Sequence, residues 1–208
     1  MVYTIYCIIK KYLLVLFTDP DYITDSEIQK IVQSVLSRLN INPDIAEKQP
    51  TVQQTLAVEK TIAIGADHGG FSLKEIIKNY LQELGYSIID CGTKNQESVD
   101  YPDFALAVAN HVSKSTAWRG IMIDGAGIGS CMAANKVPGV RAAMCYDYAT
   151  AANSREHNNA NLLTLGAGLI GVNQAKLVVK TWLETEFGGG RHARRVDKIT
   201  SIEKQFLK

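Results

Sequence analysis

From Thr61 onward, short apolar runs alternate with segments of helical periodicity, and short loops join them. The apolar runs predict five strands: Thr61–Ala66, Tyr86–Asp90, Arg119–Ile123, Val140–Cys145 and Leu162–Leu165. The amphipathic segments predict helices from Ser72, after the turn that follows Ile123, and over Asp103–Ser113, Tyr148–Asn158, Asn173–Phe187 and Asp197–Lys208. Strands that alternate with helices form parallel sheets covered on both faces. The sequence therefore predicts an α/β domain over residues 60–208.

Capping signals predict the ends of the first of these helices, and helical spacing predicts the buried faces of the first and the fifth. Ser72-Leu73-Lys74-Glu75 has the pattern of a capping box, and Gly85 is typical of a helix end. The helical period predicts inward positions for Ile76 and Leu84, and for Leu177 in the later helix Asn173–Phe187. The last helix is left over once the sheet is covered, so we expect it to reach a second subunit.

A turn with three glycines, Asp124-Gly125-Ala126-Gly127-Ile128-Gly129-Ser130, joins a buried strand to a helix. Such a turn leaves several backbone N–H groups free at the positive end of a helix dipole. This pattern predicts a site for a phosphate, a carboxylate or an oxyanion formed during a reaction. Asp124 lies at the carboxyl end of the strand, where open α/β sheets bind ligands, and suggests proton transfer. The alternative is a tight turn with a helix-capping aspartate.

Other polar residues lie at predicted strand ends or in the loops beyond them. They are Asp67, His68, Tyr101, Asp147 and His157. Because the fold gathers loop residues at one edge of the sheet, we expect these side chains to meet Asp124. A functional role is favoured for His68, because the two glycines that follow it let a ligand approach the backbone. The alternative to a functional role is that Asp147 caps the helix that follows it. For His157 the alternative is that it is an ordinary surface histidine at a helix end.

The turn Gly188-Gly189-Gly190-Arg191-His192-Ala193-Arg194-Arg195 is rich in glycine and cations. Guanidinium groups pair with phosphate oxygens through two parallel hydrogen bonds, so this turn predicts phosphate binding. The alternative is a solvated basic loop. Together with the glycine-rich turn, the histidines and Asp124, it predicts a small phosphorylated substrate and acid–base chemistry.

Charge and cysteine usage narrow the class of protein. A formal net charge of +1 argues against a nucleic-acid surface, which needs a basic excess. The four cysteines, Cys7, Cys91, Cys131 and Cys145, are scattered without metal-binding or disulfide spacing. We therefore expect a protein of a reducing cytoplasm.

Residues 1–59 form an extension that precedes this domain. Val2–Phe17 is apolar but contains Lys10-Lys11 and is shorter than the ~20 apolar residues of a membrane-spanning helix. It could be a strand, a membrane-surface segment or translated sequence upstream of the true start, and we favour the last. Residues 24–39 predict an amphipathic helix and residues 41–59 a linker. The apolar positions of this helix are Ile28, Ile31, Val32, Val35, Leu36 and Leu39.

An isolated helix of this length is marginal, so its apolar face must dock on something. It could dock on its own domain or across an oligomer. The helix and linker also resemble the encapsulation peptides that carry enzymes into bacterial microcompartments. This resemblance predicts a partner in the shell or cargo of such a compartment.

From Thr61 to the C-terminus, the sequence resembles the ribose-5-phosphate isomerase B family, which includes the galactose-6-phosphate isomerase subunits. The motifs that carry the resemblance are Gly65-Ala66-Asp67-His68-Gly69-Gly70, Asp100-Tyr101-Pro102, Gly125-x-Gly127-x-Gly129 with Ala133-Ala134-Asn135-Lys136, Ser154-Arg155-Glu156-His157-Asn158-Asn159 and Gly189-Gly190-Arg191-His192. The resemblance implies a Rossmann-like three-layer fold with a five-stranded parallel sheet. It also implies a homodimer or a dimer of dimers, with each active site shared between two chains.

The same resemblance implies an aldose–ketose isomerase that needs neither metal nor cofactor. Its expected reaction interconverts ribose 5-phosphate and ribulose 5-phosphate through an enediolate. Two alternatives remain open: an isomerase of a six-carbon phosphosugar, and a paralogue that binds sugar phosphates without turnover.

The resemblance also implies roles for individual residues. His157 would open the sugar ring, Asp67 and Asn158 would contact the sugar, and Tyr101 could join them. The phosphate would be bound by His68, Arg191 and Arg195. The enediolate oxygen would be held by backbone N–H groups of Gly125, Gly127, Ile128, Gly129 and Ser130.

The sequence departs from the family at the position of the base. Many members have a cysteine where this chain has Asp124, and others have a glutamate where it has Ser130. Of these two positions only Asp124 can serve as the base here. Ala126 stands where a threonine is frequent, and Gly168 stands where many members have a phosphate-binding arginine. A longer pocket near Gly168 would favour a six-carbon substrate.

Overall fold

The structure, a computed structural model, describes residues 60–206 together with Lys30 and Ser34. Its core is one five-stranded parallel sheet, as the sequence predicts, and the structure gives the strand order β2-β1-β3-β5-β4. The strands are β1 (Thr61–Ala66), β2 (Ser87–Asp90), β3 (Arg119–Asp124), β4 (Ala142–Met144) and β5 (Leu162–Gly166). Because β3 is the central strand, residues at its carboxyl end can meet loops from both β1 and β5.

Six helices accompany the sheet in the part of the chain from residue 60 to 206. They are α1 (Phe71–Glu83), α2 (Tyr101–Ser113), α3 (Ile128–Ala134), α4 (Tyr148–Glu156), α5 (Val172–Glu184) and α6 (Gly190–Phe206). Each of α1 to α5 follows a strand of the same number. Among the described helices, none is both long and apolar enough to cross a membrane.

The helices cover both faces of the sheet and create two hydrophobic cores. Ile62 and Ile64 of β1 point to one face, with α1, α4 and α5, whereas Ala63 points to the other face, with α2 and α3. Side chains alternate between faces along a strand, so a strand covered on both faces is apolar throughout. The three-layer α/β architecture that the sequence and the family resemblance predict is confirmed.

The predicted capping box at Ser72 is wrong. Helix α1 begins at Phe71, its N-cap is Gly70, and no side chain caps it. Ser72 Oγ instead accepts a hydrogen bond of 2.9 Å from Gln96 Nε2. The cause is packing, because Gly70 lies so close to β3 that a Cβ atom there would be 2.1 Å from the carbonyl oxygen of Ile123.

Several element limits also differ from their predictions. Helix α2 begins at Tyr101, since Pro102 is well tolerated in a first helical turn. Strand β4 shortens to Ala142–Met144 because it lies at the edge and pairs only with β5. The predicted inward positions that the structure leaves exposed are Ile76, Leu84 and Leu177. The buried stripes of α1 and α5 are therefore narrower than the helical period suggests.

The extension is described only at two positions. Lys30 and Ser34 are helical and exposed. The remainder of the predicted helix over residues 24–39, the linker over residues 41–59 and the segment Val2–Phe17 lie outside the described residues.

A buried lysine ties α1 to the loop that follows β2. Lys74 is 1% exposed, and its Nζ donates to Asp90 Oδ1 at 2.8 Å and to the Thr93 carbonyl oxygen at 3.0 Å. Burial alone would raise the pKa of Asp90, but hydrogen bonds from Lys74, Lys78 and the Gly92 N–H outweigh it and lower that pKa. A lowered pKa in the folded state stabilises the fold above the unfolded pKa of about 3.9.

We expect Lys74→Met to reduce the free energy of unfolding by about 2 kcal/mol at pH 7. It removes the buried one of the two cations paired with Asp90, so that only the more exposed Lys78 remains, and it leaves the Thr93 carbonyl oxygen without its donor. The loss should shrink as the pH falls through the folded pKa of Asp90, where protonation removes the ion pair in either protein. Urea unfolding at pH 7 and pH 3 measures both effects. Lys180→Met, which removes an exposed pair with Glu184, is the control and should cost only a few tenths of a kcal/mol. An equal loss at both pH values would contradict the assignment.

Candidate active site

The carboxyl ends of β1 and β3 bring two carboxylates to neighbouring positions. Asp67 follows β1, and its backbone N–H donates to the Ile123 carbonyl oxygen at 3.3 Å, one residue before Asp124. Both side chains are buried. Asp67 Oδ1 accepts a hydrogen bond of 2.9 Å from the Gly70 N–H, which holds the turn before α1.

His68 and Tyr101 lie at this same edge of the sheet. His68 is exposed, and its Nδ1 lies 3.1 Å from the carbonyl oxygen and 3.2 Å from the nitrogen of Val99. This contact leaves Nε2 as the ring nitrogen available to a ligand. Tyr101 lies over the glycine-rich turn, because a Cβ atom on Gly129 would be 2.5 Å from Tyr101 Cζ. The predicted grouping of Asp67, His68 and Tyr101 near the turn is therefore present.

The Asp124 carboxylate is at the centre of the glycine-rich turn and is 4% exposed. Its Oδ1 accepts from the N–H of Ala126 at 2.8 Å and from the N–H of Gly127. Its Oδ2 accepts from the N–H of Ser130 at 3.1 Å and from the Ser130 hydroxyl. A carboxylate offers about four lone-pair positions, so these donors occupy all of them. In this state Asp124 holds the turn together, as the capping alternative describes.

The amides that the resemblance assigns to an enediolate oxygen therefore divide into two sets. The N–H groups of Gly127 and Ser130 bond to Asp124. Within residues 60–206, no hydrogen bond is made by the N–H groups of Ile128 and Gly129, in the first turn of α3. The Gly125 carbonyl oxygen accepts from the Gly168 N–H at 2.9 Å, which joins the turn to the loop after β5. The Gly125 N–H also makes no hydrogen bond within residues 60–206, so the amides free to bind an anion are those of Gly125, Ile128 and Gly129.

His157 belongs to a second group of polar residues, at the end of α4. Its Nδ1 lies 2.8 Å from Asn153 Nδ2, and its ring stacks on His192 with 4.1 Å between centroids and 4° between planes. Arg191 Nε lies 3.4 Å from His192 Nε2. Asn158 follows directly, and its Nδ2 lies 3.5 Å from Asn153 Oδ1. These side chains form one continuous cluster, which we call the histidine cluster.

A buried arginine anchors the segment that carries His157. Arg155 is buried, and its guanidinium donates to the Ala160 carbonyl oxygen, and to Asn159 Oδ1 at 3.0 Å. Burial lowers the pKa of Arg155 from its ordinary value. Because both contacts span the chain around His157 and Asn158, they hold these two residues in place.

The predicted turn over residues 188–195 is helical from Gly190, where α6 begins, so the last helix starts seven residues before the predicted Asp197. Gly189 and Gly190 have φ values of 59° and 51°, a region that glycine adopts readily, and the chain then turns into the helix. Arg191 and Arg195 are exposed in its first two turns. Residues four apart lie on the same face of a helix, so these two guanidinium groups are neighbours beside His192.

The histidine cluster lies at the amino ends of the strands, whereas Asp124 lies at their carboxyl ends; we call these two ends of the sheet its amino edge and its carboxyl edge. Helix α4 runs back from the carboxyl end of β4 to the amino end of β5. Four residues after His157, the Asn161 carbonyl oxygen accepts from the N–H of Gly120 near the start of β3 at 3.0 Å. A strand of six residues spans about 20 Å. The prediction that His157 joins Asp67 and Asp124 at one edge is therefore wrong within a single chain, because helix ends and strand ends alternate between edges.

Asp147 caps a helix, which is the structural alternative to a role in the site. It is the N-cap of α4, and its carboxylate accepts from the Thr150 N–H at 2.7 Å in a capping box. Hydrogen bonds from the backbone N–H and the side chain of Thr150 lower the pKa of Asp147. Among the described residues, no three His, Cys, Asp or Glu side chains are grouped to hold a metal ion.

Sequence reasoning singled out neither Asn153 nor His192 as a functional residue. The spacing of four residues between Asn153 and His157 on one helix was a signal for their contact. The contact between His157 and His192 joins segments that are distant in sequence, and no local pattern predicts it.

Comparison with known proteins gives consistent matches over the described domain. The family described as ribose/galactose isomerase matches residues 62–199. Ribose-5-phosphate isomerase B of Escherichia coli K12 is 44% identical over 146 residues, which is 70% of this chain and 98% of that protein. D-erythrulose-4-phosphate isomerase of Pectobacterium atrosepticum is 42% identical over 146 residues, 70% of this chain and 96% of that protein.

Solved structures match over the same region. The structure of Clostridium thermocellum ribose-5-phosphate isomerase B is 53% identical, with a TM-score of 0.70, and covers 70% of this chain and 99% of its own. The structure of Mycoplasma genitalium ribose-5-phosphate isomerase B with bound ribulose-5-phosphate is 43% identical, with a TM-score of 0.68. It covers 70% of this chain and 97% of its own.

Proposed function

Because the chain belongs to the ribose/galactose isomerase family, we propose that it interconverts ribose 5-phosphate and ribulose 5-phosphate through an enediolate. The observation that carries this function is the 53% identity to a ribose-5-phosphate isomerase B over 99% of that enzyme. A second substrate class has specific support, since a relative named D-erythrulose-4-phosphate isomerase is 42% identical. The lack of a side chain at Gly168, against the glycine-rich turn, keeps a six-carbon sugar phosphate as a further candidate.

Asp124 is our candidate for the base. It would take the proton from C2 of the open-chain aldose while the electron pair forms the C1–C2 double bond and charge moves to the C1 oxygen. Transfer of the C2 hydroxyl proton to the C1 oxygen moves the charge to the C2 oxygen. Delivery of the proton from Asp124 to C1, as the C2 carbonyl forms, then gives the ketose. The free N–H groups of Ile128 and Gly129 would hold the C1 oxygen, each worth about 3–4 kcal/mol in the transition state.

The four donors around Asp124 place a requirement on this step. Three of them are backbone N–H groups fixed by the turn, and the fourth is the Ser130 hydroxyl, which can rotate about its Cβ–Oγ bond. Rotation of that hydroxyl away from Oδ2 frees one lone pair without moving the backbone. We therefore assign Oδ2 as the oxygen that accepts the proton.

Phosphate binding and ring opening use residues of both edges. His157 would donate a proton to the ring oxygen, Asn158 would contact the sugar, and Arg191 and Arg195 would pair with the phosphate. His68 would bind the same phosphate, although it lies at the edge of Asp124. Residues of one chain on opposite edges cannot contact one small sugar phosphate.

We therefore propose a homodimer, or a dimer of such dimers, in which two chains share each active site. The carboxyl edge of one chain, with Asp67, His68 and Asp124, would face the histidine cluster of the other. Ile128 and Met132, one turn apart on α3, are exposed apolar residues beside the glycine-rich turn. Their burial against a second chain would stabilise the assembly and exclude water from the site.

The domain boundary and the location are proposals as well. We infer an isomerase domain over residues 60–208 and an extension over residues 1–59. The described cysteines, Cys91, Cys131 and Cys145, are free thiols, which is typical of the reducing cytoplasm. The amphipathic helix that the sequence predicts over residues 24–39 would direct the enzyme to a shell or cargo partner of a bacterial microcompartment.

Turnover of ribose 5-phosphate by the purified full chain, with a chelator and without added metal, tests the function. We expect ribulose 5-phosphate to form with a kcat on the order of 1–1000 per second. Erythrose 4-phosphate and galactose 6-phosphate in parallel assays decide the sugar, and a larger kcat/KM for either would replace the pentose. Binding of all three without turnover would instead support the non-catalytic paralogue.

A further inference from the structure

We propose that Asn153 is a positioning residue that fixes the tautomer of His157, and that His192 fixes the plane of its ring. This inference rests on the proposed function only in the use it gives to His157. It concerns the proton on the ring, which no sequence motif specifies and which can be observed without turnover.

The contact between Asn153 and His157 determines the tautomer. An amide nitrogen only donates, so at 2.8 Å from Asn153 Nδ2 the Nδ1 atom of His157 must accept. The neutral ring then carries its proton on Nε2. The amide orientation has its own support, because Asn158 Nδ2 lies 3.5 Å from Asn153 Oδ1, as a donor facing an acceptor requires.

His192 restricts the rotation of the His157 ring about its Cβ–Cγ bond. The two rings are parallel within 4° at a centroid distance of 4.1 Å, so rotation of His157 about its Cβ–Cγ bond would break the stack. Arg191 Nε lies 3.4 Å from His192 Nε2, which accepts from it. Desolvation, followed by the charges of His157, Arg191 and Arg195, lowers the pKa of His192 and favours its neutral form.

This arrangement leaves the Nε2–H of His157, whose side chain is 36% exposed, as the ring N–H that can donate to a ligand. Ring opening breaks the bond between C1 and the ring oxygen, and the electron pair stays on that oxygen, which takes the Nε2 proton. The C1 hydroxyl loses its proton to solvent as the carbonyl forms, and the ring is reprotonated from solvent. In the other tautomer Nε2 could only accept. Glu156 Oε1, 3.8 Å from Nε2, is the carboxylate nearest to this nitrogen.

Substitution of Asn153 tests the tautomer directly. In Asn153→Asp a carboxylate of the same shape can only accept, so it should move the ring proton to Nδ1, and Asn153→Leu should leave a mixture. Long-range ¹H–¹⁵N spectra of the neutral ring, assigned with His157→Gln, distinguish the two nitrogens. We expect wild type to show a protonated Nε2 and a bare Nδ1, and Asn153→Asp to show the reverse. A protonated Nδ1 in wild type, or unchanged shifts in Asn153→Asp, would overturn the proposal.

Kinetics then test the consequence for ring opening. We expect Asn153→Asp to lower kcat on ribose 5-phosphate by at least about 10-fold with little change in KM, since the general acid is lost but its contacts remain. The primary isotope effect on kcat/KM with substrate deuterated at C2 should fall towards 1, because ring opening becomes slower than proton transfer. A variant damaged at the base would keep or increase that effect.

Asn173→Asp, an exposed change of the same charge on α5, is the matched control and should leave both quantities unchanged. If the spectra show the expected tautomers but the isotope effect and kcat of Asn153→Asp equal those of wild type, the positioning stands and the assigned role of His157 in ring opening fails. The two failures are thus separate.

Discussion

Replacement of Asp124 by serine should lower kcat on ribose 5-phosphate by about 10²- to 10⁴-fold, because no group remains to take the C2 proton. Replacement by cysteine should recover a measurable part of the activity. Many members of the family that this sequence resembles have a cysteine at this position. The surrounding N–H donors would stabilise the charge of its thiolate. Steady-state kinetics of both variants, with melting temperatures measured in parallel, give the comparison.

The pair of variants separates loss of the base from damage to the turn. Neither serine nor cysteine can accept from all the donors that Asp124 satisfies, and each buried donor left without a partner costs about 1–3 kcal/mol. Both variants should therefore lose stability, and Asp124→Asn, which presents an amide N–H towards Ser130, should lose it as well. If the integrity of the turn alone determined turnover, the serine and cysteine variants would be equally inactive. That equality would remove Asp124 from the role of base.

Mixing two inactive variants should restore activity if each site is shared. Asp124→Ser inactivates the carboxyl edge of its chain, and His157→Gln inactivates the histidine cluster of the other. Random pairing makes half of the dimers mixed, and one of the two sites in each mixed dimer is intact. We therefore expect about a quarter of wild-type activity after co-refolding, from components that are each nearly inactive.

The control for this experiment is a pair of variants on the same edge. Asp67→Asn and Asp124→Ser both alter the carboxyl edge, so no mixed dimer holds an intact site and no activity should return. Recovery in both mixtures would indicate that subunits do not share sites in the way proposed. No recovery in either, with mixed dimers demonstrated by mass spectrometry, would place His157 and Asp124 of one chain in the same site.

Local patterns predicted most of the fold. Alternating apolar runs and helical periods predicted all five strands and their parallel pairing, because each depends on residues close in sequence. The sequence offered helix capping as the alternative role of Asp147. Capping can be read from local sequence because an N-cap side chain lies next to the N–H three residues later at any helix start. The glycine-rich turn was predicted for the same reason.

Predictions failed where packing against distant segments decides the outcome. The start of α1 depends on how closely Gly70 approaches β3, and the start of α6 depends on two glycines with positive φ. No prediction covered the burial of Lys74, which depends on Asp90 and Thr93, because a sequence pattern does not connect these residues to it. Helical period alone made the buried faces of α1 and α5 too wide.

The sequence by itself determined the α/β class, the family and the identity of the residues that can carry chemistry, since these follow from residue type and short-range spacing. Only the tertiary structure decided that Asp124 is surrounded by four donors and that His157 lies at the opposite edge, stacked on His192. The physical reason is direction. A helix that returns antiparallel to its strand carries its last residues to the far end of the strands, and in the dimer that we propose a second chain would bring its own copy of them to Asp124.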